Sequence, residues 1–456
     1  MKAAGEHSIV VLEQAGTPVP DDAIACALGS QLRFDRGALE RCSSTPLDDL
    51  DVDLLVVLAS IAFADRRVSR RRGTRWGRAL ALSIPVHQPA EWERVSSELA
   101  SLLQNVSGDT WSVEFRQRVA VDDLRQLFFS QLPREFRGAT VVPFSGGLDS
   151  FAAVARHRVE NDGTPLLLVH AQHGSHALDS VLPERARGAP ALAVPFTVSG
   201  GPHAEPSYRT RTLVFFSLAA LAWRRTNAAR IWIGESGVGC LGPSFVPFGI
   251  EQPVSGCHPS FIKKLARFFE HLWGVPPPFE LPHLWFTKGE VLADLRKCNA
   301  LDGWQRTRSC SRNALRQHPQ ASASHCGLCS GCMFRRQSLR AADLVEDAGT
   351  YYADVFVDEA LPAGAQPSDR EVGTYAVVDL DELAGVAKKL PSHRGLVLET
   401  AKAVGRPSAE VETKVQRLFA THADEWRTFV GALPARSWLR DVVHEQGAGE
   451  LWTKQD

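Results

Sequence analysis

The sequence contains no long hydrophobic run and almost no net charge. No apolar stretch reaches the roughly 18 residues that a membrane-spanning helix needs. The segment Met1–Glu6 lacks the apolar core of a signal peptide. The formal net charge is −1 over 456 residues, so no overall field attracts nucleic acid or an anionic membrane. These absences predict a cytoplasmic protein without a membrane partner, and they argue against nucleic acid as a partner.

Internal repeats and low-complexity tracts are also missing from the sequence. With 44% hydrophobic and 23% charged residues, the composition is that of a globular protein with two or three domains. Nine cysteines without an export signal are typical of a reducing compartment. Five of them are scattered, with no pattern that indicates a nucleophile: Cys26, Cys42, Cys240, Cys257 and Cys298.

The most informative segment is Thr140–Ser150, in which an apolar run ends in Ser-Gly-Gly-Leu-Asp-Ser. A helical stretch, Phe151–Val159, follows it. Gly146 and Gly147 allow a sharp turn and a close approach to an anion, and the free N–H groups at a helix start favour phosphate. Asp149 would repel phosphate unless Mg²⁺ bridges the two. The segment therefore predicts a site for a magnesium-bound pyrophosphate group.

This loop lacks the Gly-Lys-Ser/Thr ending of a Walker A loop. It resembles the PP-loop of the N-type ATP pyrophosphatases, which cleave ATP between the α- and β-phosphates and adenylate a substrate oxygen. The alternative is an ordinary strand–turn–helix in which the aspartate is a cap. The resemblance implies ATP and Mg²⁺ as cofactors. It also implies nucleotide contacts from Phe144, Ser145, Gly146, Gly147, Leu148, Asp149 and Ser150.

A second pattern is formed by Cys326, Cys329 and Cys332, which follow Cys310 after sixteen positions. Two-residue spacings let thiolates converge on one tetrahedral metal ion with little strain. A disulfide does not fit a chain without an export signal, and a redox pair needs only two cysteines. An iron–sulfur cluster remains an alternative, because it also accepts four thiolates. We predict a structural Zn²⁺ site on these four cysteines.

Together, the two motifs make residues 140–340 resemble the 7-cyano-7-deazaguanine synthases (QueC) and their QueC-like relatives. Three weaker matches occur between them in the family's order. They are Arg211-Thr212 before an apolar helix, the strand Ile231–Glu235, and the helix start Thr287–Glu290. One departure is His170-Ala171-Gln172, where the family has Tyr-Gly-Gln. The resemblance covers less than half of the chain.

The resemblance implies an ATP-dependent ligase that adenylates 7-carboxy-7-deazaguanine and releases pyrophosphate. Asp149, Ser150 and Lys288 are then the candidate catalytic residues, although a lysine at a helix start is equally typical of an exposed surface. His170 and Gly234 follow or end strands and are expected to join the loop in contacting the nucleotide.

Three further residues are candidates for contact with the substrate. Glu235 ends a strand, and its carboxylate would accept the two adjacent N–H donors of a guanine-like edge. Arg211 would pair with a phosphate or with the substrate carboxylate. His258 would be a base or a substrate contact. A surface glutamate, a helix-start salt bridge and a structural histidine are the respective alternatives.

The regions outside the resemblance are large, about 135 residues before it and 110 after it. They resemble the enlarged QueC-like proteins of bacterial anti-phage operons. That resemblance implies a protein partner from the same operon, whose amine attacks the adenylate. The alternatives are a 7-cyano-7-deazaguanine synthase that uses ammonia and a PP-loop enzyme that modifies tRNA.

Strand and helix patterns divide the chain into three parts. We predict an N-terminal α+β domain over 1–135, a catalytic domain over 136–340 and a mainly helical region over 341–456. Alternation of strands and helices in the middle part predicts a doubly wound parallel sheet of the PP-loop ATP pyrophosphatase type. Its predicted strands are Thr140–Phe144, Leu166–His170, Ala191–Val198 and Arg230–Gly234.

Arginines are concentrated between positions 66 and 78. Nucleic-acid binding is one interpretation of such a run. The balanced overall charge favours a solvated face or an interface with an acidic partner. We therefore predict a docking face for a protein partner, formed by Arg66, Arg67, Arg70, Arg71, Arg72, Arg75 and Arg78.

Overall fold

The computed structural model contains two mainly parallel β-sheets with helices packed against them, which confirms the predicted α/β class. The residues that the structure describes are 6–14, 18–34, 39–40, 47–70, 77–119, 136–161, 163–172, 191–198, 204–205, 207–242, 256–311, 324–363 and 365–445. Among these residues, no helix combines the length and apolar character needed to cross a membrane.

The first sheet lies in the N-terminal region and has four strands in the order β2-β1-β4-β5. They are β1 Glu6–Leu12, β2 Ala23–Ala27, β4 Ala79–Val86 and β5 Thr110–Gln117. All three pairings in this sheet are parallel. Parallel neighbours need crossover connections. The connection from β2 to β4 contains helix α1 Asp49–Arg67, and the connection from β4 to β5 contains α2 Pro89–Arg94 and α3 Ser96–Ser107. The predicted α+β type is therefore wrong for this region, which is α/β.

The second sheet has the order β10-β9-β6-β7-β8-β3 and carries the predicted phosphate loop. Its strands are β3 Leu32–Phe34, β6 Thr140–Pro143, β7 Leu166–Gln172, β8 Ala191–Val198, β9 Arg230–Trp232 and β10 Phe279–Glu280. Only β3, contributed by the N-terminal region, pairs in the antiparallel sense. All four predicted strands are present, with ends that differ by up to two residues.

The strand order places a topological switch point at β6. From β6 the chain continues to β7 on one side and later returns to β9 on the other. Ligands of open α/β sheets bind in the crevice outside the carboxyl ends of such strands. The helices between and after these strands are α4 Leu148–Glu160, α5 Arg211–Thr226, α6 Gly237–Leu241, α7 Pro259–Trp273 and α8 Lys288–Lys297.

Buried residues of the two sheets belong to one hydrophobic cluster, so the N-terminal region packs directly against the region with the second sheet. Buried residues of α1, α3 and β4 belong to the same cluster as those of α5, α7 and β6. Trp92 of α2 is fully buried between Phe115 of β5 and Phe268 of α7, with ring centroids 5.4 and 6.4 Å away. Burial of such a side chain stabilises the contact by roughly 2–3 kcal/mol.

The C-terminal region is helical, as predicted. Helix α9 Ser330–Ala341 immediately precedes this region, which contains α10 Pro367–Lys389, α11 Arg394–Val404, α12 Ser408–Gly431 and α13 Trp438–Glu445. Helix α12 is the longest of these helices, and no proline or glycine interrupts the chain between Ser408 and Val430. Short 3₁₀ segments occupy Trp304–Arg306 and Leu390–His393.

Two residues of the arginine run are buried, which contradicts their predicted place on a docking face. Nη2 of Arg78 lies 2.6 Å from an Asp65 oxygen and 2.7 Å from an Asp109 oxygen. Arg70 pairs with Asp109 at 2.6 Å, and all four side chains are at most 3% exposed. Because these charges are paired in the interior, loss of one partner would leave a buried charge uncompensated. Arg71, Arg72 and Arg75 lie outside the described residues.

Candidate functional site

The loop after β6 turns sharply into helix α4. Gly146 has φ 75°, a left-handed conformation that favours glycine, and Gly147 is the N-cap residue. The Ser145 hydroxyl lies 3.3 Å from both the Gly147 amide nitrogen and the Ser150 hydroxyl. Ser150 donates to the Gly147 carbonyl oxygen over 3.0 Å. The loop thus presents hydroxyl groups and free helix N–H groups at the carboxyl end of a central strand.

Two residues assigned to nucleotide contact support the loop from neighbouring strands. The Nδ1 atom of His170 lies 2.6 Å from the Phe144 carbonyl oxygen, and that ring nitrogen donates the hydrogen bond. Gly234 lies against α4, where an added Cβ atom would be 2.6 Å from the Ala153 Cβ and 2.7 Å from the Asp149 carbonyl oxygen. Packing alone therefore requires a glycine at position 234, and this requirement is independent of the predicted contact of Gly234 with a nucleotide.

Lys288 points into the site, so it is not the exposed surface lysine that was the alternative. It follows the N-cap Thr287, which forms a capping box with Glu290. Its Nζ lies 2.7 Å from Asp149 Oδ2 and 4.2 Å from the centre of the Phe334 ring. The whole residue is 7% exposed. The structure thus joins the first residue of α8 to the second residue of α4 through a largely buried ion pair.

Glu235 lies within the electrostatic reach of this pair. Burial raises the pKa of Glu235 to about 7, the Asp149 carboxylate adds to the increase, and Lys288 and Arg211 oppose it. Gly239 of α6 leaves room for the carboxylate, since a Cβ atom there would lie 2.1 Å from Glu235 Oε1. Four charged candidates from four separate sequence segments therefore converge at the switch point.

Arg211 begins α5, and its side chain is exposed. No described residue pairs with its guanidinium group. The predicted alternative, a salt bridge at the helix start, is therefore absent from the described part of the chain. Arg211 is thus a cation near Glu235 with no ion-pair partner among the described residues, and it is suited to an anionic group of a ligand.

His258 has a structural role, and this geometry is at odds with the predicted substrate contact. It is the N-cap of α7, where its Nδ1 accepts a hydrogen bond from the Ser260 amide over 3.1 Å. Its Nε2 lies 3.2 Å from the Thr400 hydroxyl of α11. Burial lowers the pKa of the imidazole to about 4. Both ring nitrogens therefore have protein partners, and the ring stays neutral near pH 7.

The four predicted cysteine ligands converge. The sulfur atoms of Cys310, Cys326, Cys329 and Cys332 all lie within 4.8 Å of one another. The Cys329 amide donates to the Cys326 sulfur over 3.4 Å, as the Leu328 amide does. The pKa of the Cys310 thiol is lowered to about 6, mainly by a hydrogen bond with Cys326. Four converging sulfur donors fit a metal such as Zn²⁺.

The cysteine cluster is joined to the phosphate loop by the segment 307–310, a link that motif reasoning missed. The Arg308 amide donates to the Gly146 carbonyl oxygen over 2.9 Å. The next amide, of Ser309, donates to His325 Nε2 over 3.2 Å. Cys310 then enters the cluster. The only sequence signal was adjacency to the first cysteine, which does not reveal what the preceding residues contact.

The C-terminal helix α12 supports the helix that carries Lys288. The Thr287 hydroxyl donates to Glu425 Oε1, and Arg417 pairs with Glu290 at 2.5 Å. Burial raises the pKa of Glu425 to about 7. Helix α12, which lies outside the residues 140–340 that resemble QueC, therefore helps to position the helix start that carries Lys288.

No protein-family model matches this chain, and no curated protein or solved structure matches it either. The two motifs and the geometry of the site are therefore the basis for a functional proposal. That site combines a glycine turn at a helix start, an ion pair, a high-pKa carboxyl group and a nearby four-cysteine cluster.

Proposed function

We propose that this chain is an ATP-dependent ligase of the PP-loop, QueC-like type that adenylates a carboxylate. The observation that supports the proposal most is the loop Ser145–Ser150 at the carboxyl end of β6, joined to Lys288 through Asp149. A glycine turn at a helix N-terminus favours phosphate, and a carboxylate beside it provides the oxygen ligand that Mg²⁺ prefers.

The residues present fit a magnesium-bound triphosphate. The hydroxyls of Ser145 and Ser150 and the free N–H groups at the start of α4 would hold phosphate oxygens. Asp149 would bind Mg²⁺, which supplies positive charge against the leaving pyrophosphate. Lys288, held beside Asp149, would then contact the phosphate oxygens directly.

The first reaction step is attack of a substrate carboxylate on ATP. A carboxylate oxygen forms a bond to the α-phosphorus while the bond to the bridging oxygen breaks, and pyrophosphate leaves with the electron pair. Arg211 is suited to orient the carboxylate. Resemblance to the QueC-like proteins suggests 7-carboxy-7-deazaguanine as the substrate. Ionised Glu235 would accept hydrogen bonds from its two adjacent N–H donors.

The second step consumes the acyl adenylate. A nitrogen nucleophile attacks the carbonyl carbon, AMP leaves with the electrons of the carbon–oxygen bond, and the nitrogen loses a proton. We propose that an amine of a partner protein from the same operon is the nucleophile, which gives an amide conjugate. Ammonia is the alternative nucleophile. It would give a free amide, which a second adenylation by ATP would convert to a nitrile as the oxygen leaves with AMP.

The test of the first step is product analysis with ATP, Mg²⁺ and 7-carboxy-7-deazaguanine. Formation of AMP and pyrophosphate that depends on the carboxylate is expected, and Asp149→Asn should abolish it with the fold intact. Glu91→Gln, at an exposed position of α2, is the matched control and should leave the rate unchanged. Release of ADP and phosphate would contradict the proposal.

The test of the second step is intact-mass analysis of the partner protein after co-expression with this chain. A mass increase equal to one deazaguanine amide is expected, and it should disappear with the Asp149→Asn variant. An unmodified partner, together with free nitrile formed from ammonium at full rate, would contradict the assignment of the nucleophile.

A further inference from the structure

The phosphate loop contains no cation of its own. Ser145–Ser150 has no lysine or arginine, unlike loops that end in Gly-Lys-Ser/Thr. Lys288 is already paired with Asp149 at 2.7 Å. A triphosphate carries several negative charges, so further positive charge at this loop would strengthen binding and stabilise the leaving group.

Arg308 lies directly against this loop. Its amide donates to the Gly146 carbonyl oxygen over 2.9 Å. Its carbonyl oxygen would be 3.3 Å from a Cβ atom at Gly147. The backbone of Arg308 therefore touches both glycines of the turn, and the side chain starts beside the place where an anion would bind.

The guanidinium group of Arg308 is exposed, and no described residue pairs with it. This differs from Arg335 of α9, which is fully buried and binds the Thr307 hydroxyl and Glu346. An arginine with no acidic partner in the described chain loses no existing ion pair when it binds a phosphate.

The backbone around Arg308 is fixed on both sides. Thr307 is held by Arg335, whose Nη1 lies 2.6 Å from the Thr307 hydroxyl oxygen. The Ser309 amide donates a hydrogen bond to His325. The Ser309 carbonyl oxygen packs closely against Gly331, where an added Cβ atom would lie only 2.4 Å from it. Cys310 belongs to the cysteine cluster. The attachment point of the side chain is thus rigid while the guanidinium can still move toward a ligand.

We infer that Arg308 binds the β- and γ-phosphates of ATP, and hence the leaving pyrophosphate. The inference rests on the proposed function and extends it, because it adds a phosphate-binding residue outside the loop. A guanidinium group can engage two phosphate oxygens at once. The ligands that it would recognise are nucleoside triphosphates and inorganic pyrophosphate, whereas AMP lacks the phosphates concerned.

The test compares Arg308→Ala and Arg308→Lys with the unchanged full-length chain. Calorimetric titrations with ATP, pyrophosphate and AMP are made in the presence of Mg²⁺. We expect Arg308→Ala to weaken ATP and pyrophosphate binding about tenfold or more, with AMP binding unchanged, and Arg308→Lys to restore part of the affinity. Arg267→Ala, at an exposed arginine of α7, is the matched control. Equal melting temperatures and metal contents exclude a folding effect.

Three results would overturn the inference, and they differ in what they say about the proposed function. If Arg308→Ala binds ATP and pyrophosphate as well as the unchanged chain does, and the chain still forms AMP, only the inference fails. If the unchanged chain binds neither ligand and forms no AMP, the proposed function fails as well. Equal loss of ATP and AMP binding would also overturn it, because that result indicates general damage to the site.

Discussion

Replacing Glu235 with glutamine should stabilise the fold and weaken substrate binding at the same time. Burial and Asp149 raise the pKa of this carboxyl group from 4.5 to about 7. Each pKa unit corresponds to about 1.4 kcal/mol, so ionising Glu235 in the folded chain costs on the order of 3 kcal/mol. Glutamine has nearly the same shape and never ionises, so it removes this cost.

The sign of the pH dependence follows from proton binding. The folded chain holds the Glu235 proton more tightly than the unfolded chain, so stability from this group falls as pH rises from 4.5 to about 7. Below that window both states are protonated, and Glu235→Gln should melt like the unchanged chain. Above it the variant should melt at a higher temperature, by an amount equivalent to at most about 3 kcal/mol.

Substrate binding should change in the opposite direction. Ionised Glu235 offers two acceptor oxygens to adjacent N–H donors, whereas glutamine replaces one acceptor with a donor. We expect about a hundredfold weaker binding of the deazaguanine carboxylate. Thermal melting over a pH series and calorimetry with the carboxylate measure the two effects, with Glu410→Gln on the surface of α12 as the control. A variant that melts lower above pH 7 and binds the carboxylate normally would refute the reasoning.

Three further predictions concern other parts of the molecule. Asp109→Asn should destabilise the chain by about 3–5 kcal/mol in urea unfolding, because it leaves Arg70 and Arg78 buried with too little negative charge; an unchanged midpoint would contradict this. Cys329→Ser should lower bound zinc, measured by elemental analysis, and weaken ATP binding through the segment next to the loop; unchanged zinc would contradict it. Lys288→Met should lower kcat for AMP formation about a hundredfold or more, whereas an unchanged kcat would place this lysine outside the chemistry.

Sequence motifs predicted those parts of the site whose geometry is determined by residues next to one another in the sequence. The turn at Gly146 and a helix after it follow from the sequence Ser-Gly-Gly-Leu-Asp-Ser, although the helix begins at Leu148, three residues before the predicted Phe151. The cysteine cluster follows from ligand spacing, because Cys326 and Cys329 lie on one tight turn. In both cases a few consecutive residues determine the geometry, so the sequence alone was sufficient to predict it.

Long-range pairing could not be predicted in the same way. The prediction of an exposed docking face was wrong for Arg70 and Arg78. Their buried partner, Asp109, lies more than thirty positions away along the chain, so the sequence around the arginines does not reveal it. The contact of Arg308 with Gly146 spans an even larger separation. The parallel order of the N-terminal strands was also hidden, since strand periodicity does not reveal which strands pair. Such contacts arise only when the core assembles.

The shared core also changes the interpretation of the flanking regions. They were expected to recruit a partner, but the N-terminal helices pack in the same core as α5 and α7, and α12 supports Lys288 through Thr287. Truncation to residues 136–345 would expose both packed surfaces. Partner recruitment is therefore best tested with the full chain, as the intact-mass experiment above does.

The central claim is that a carboxylate oxygen attacks the α-phosphorus of ATP. The most direct measurement uses 7-carboxy-7-deazaguanine labelled with oxygen-18 in its carboxylate, with ATP, Mg²⁺, the full-length chain and its amine nucleophile. After turnover, mass spectrometry of the nucleotide should find one oxygen-18 atom in AMP and none in pyrophosphate. Unlabelled AMP, or label in phosphate released together with ADP, would contradict the account.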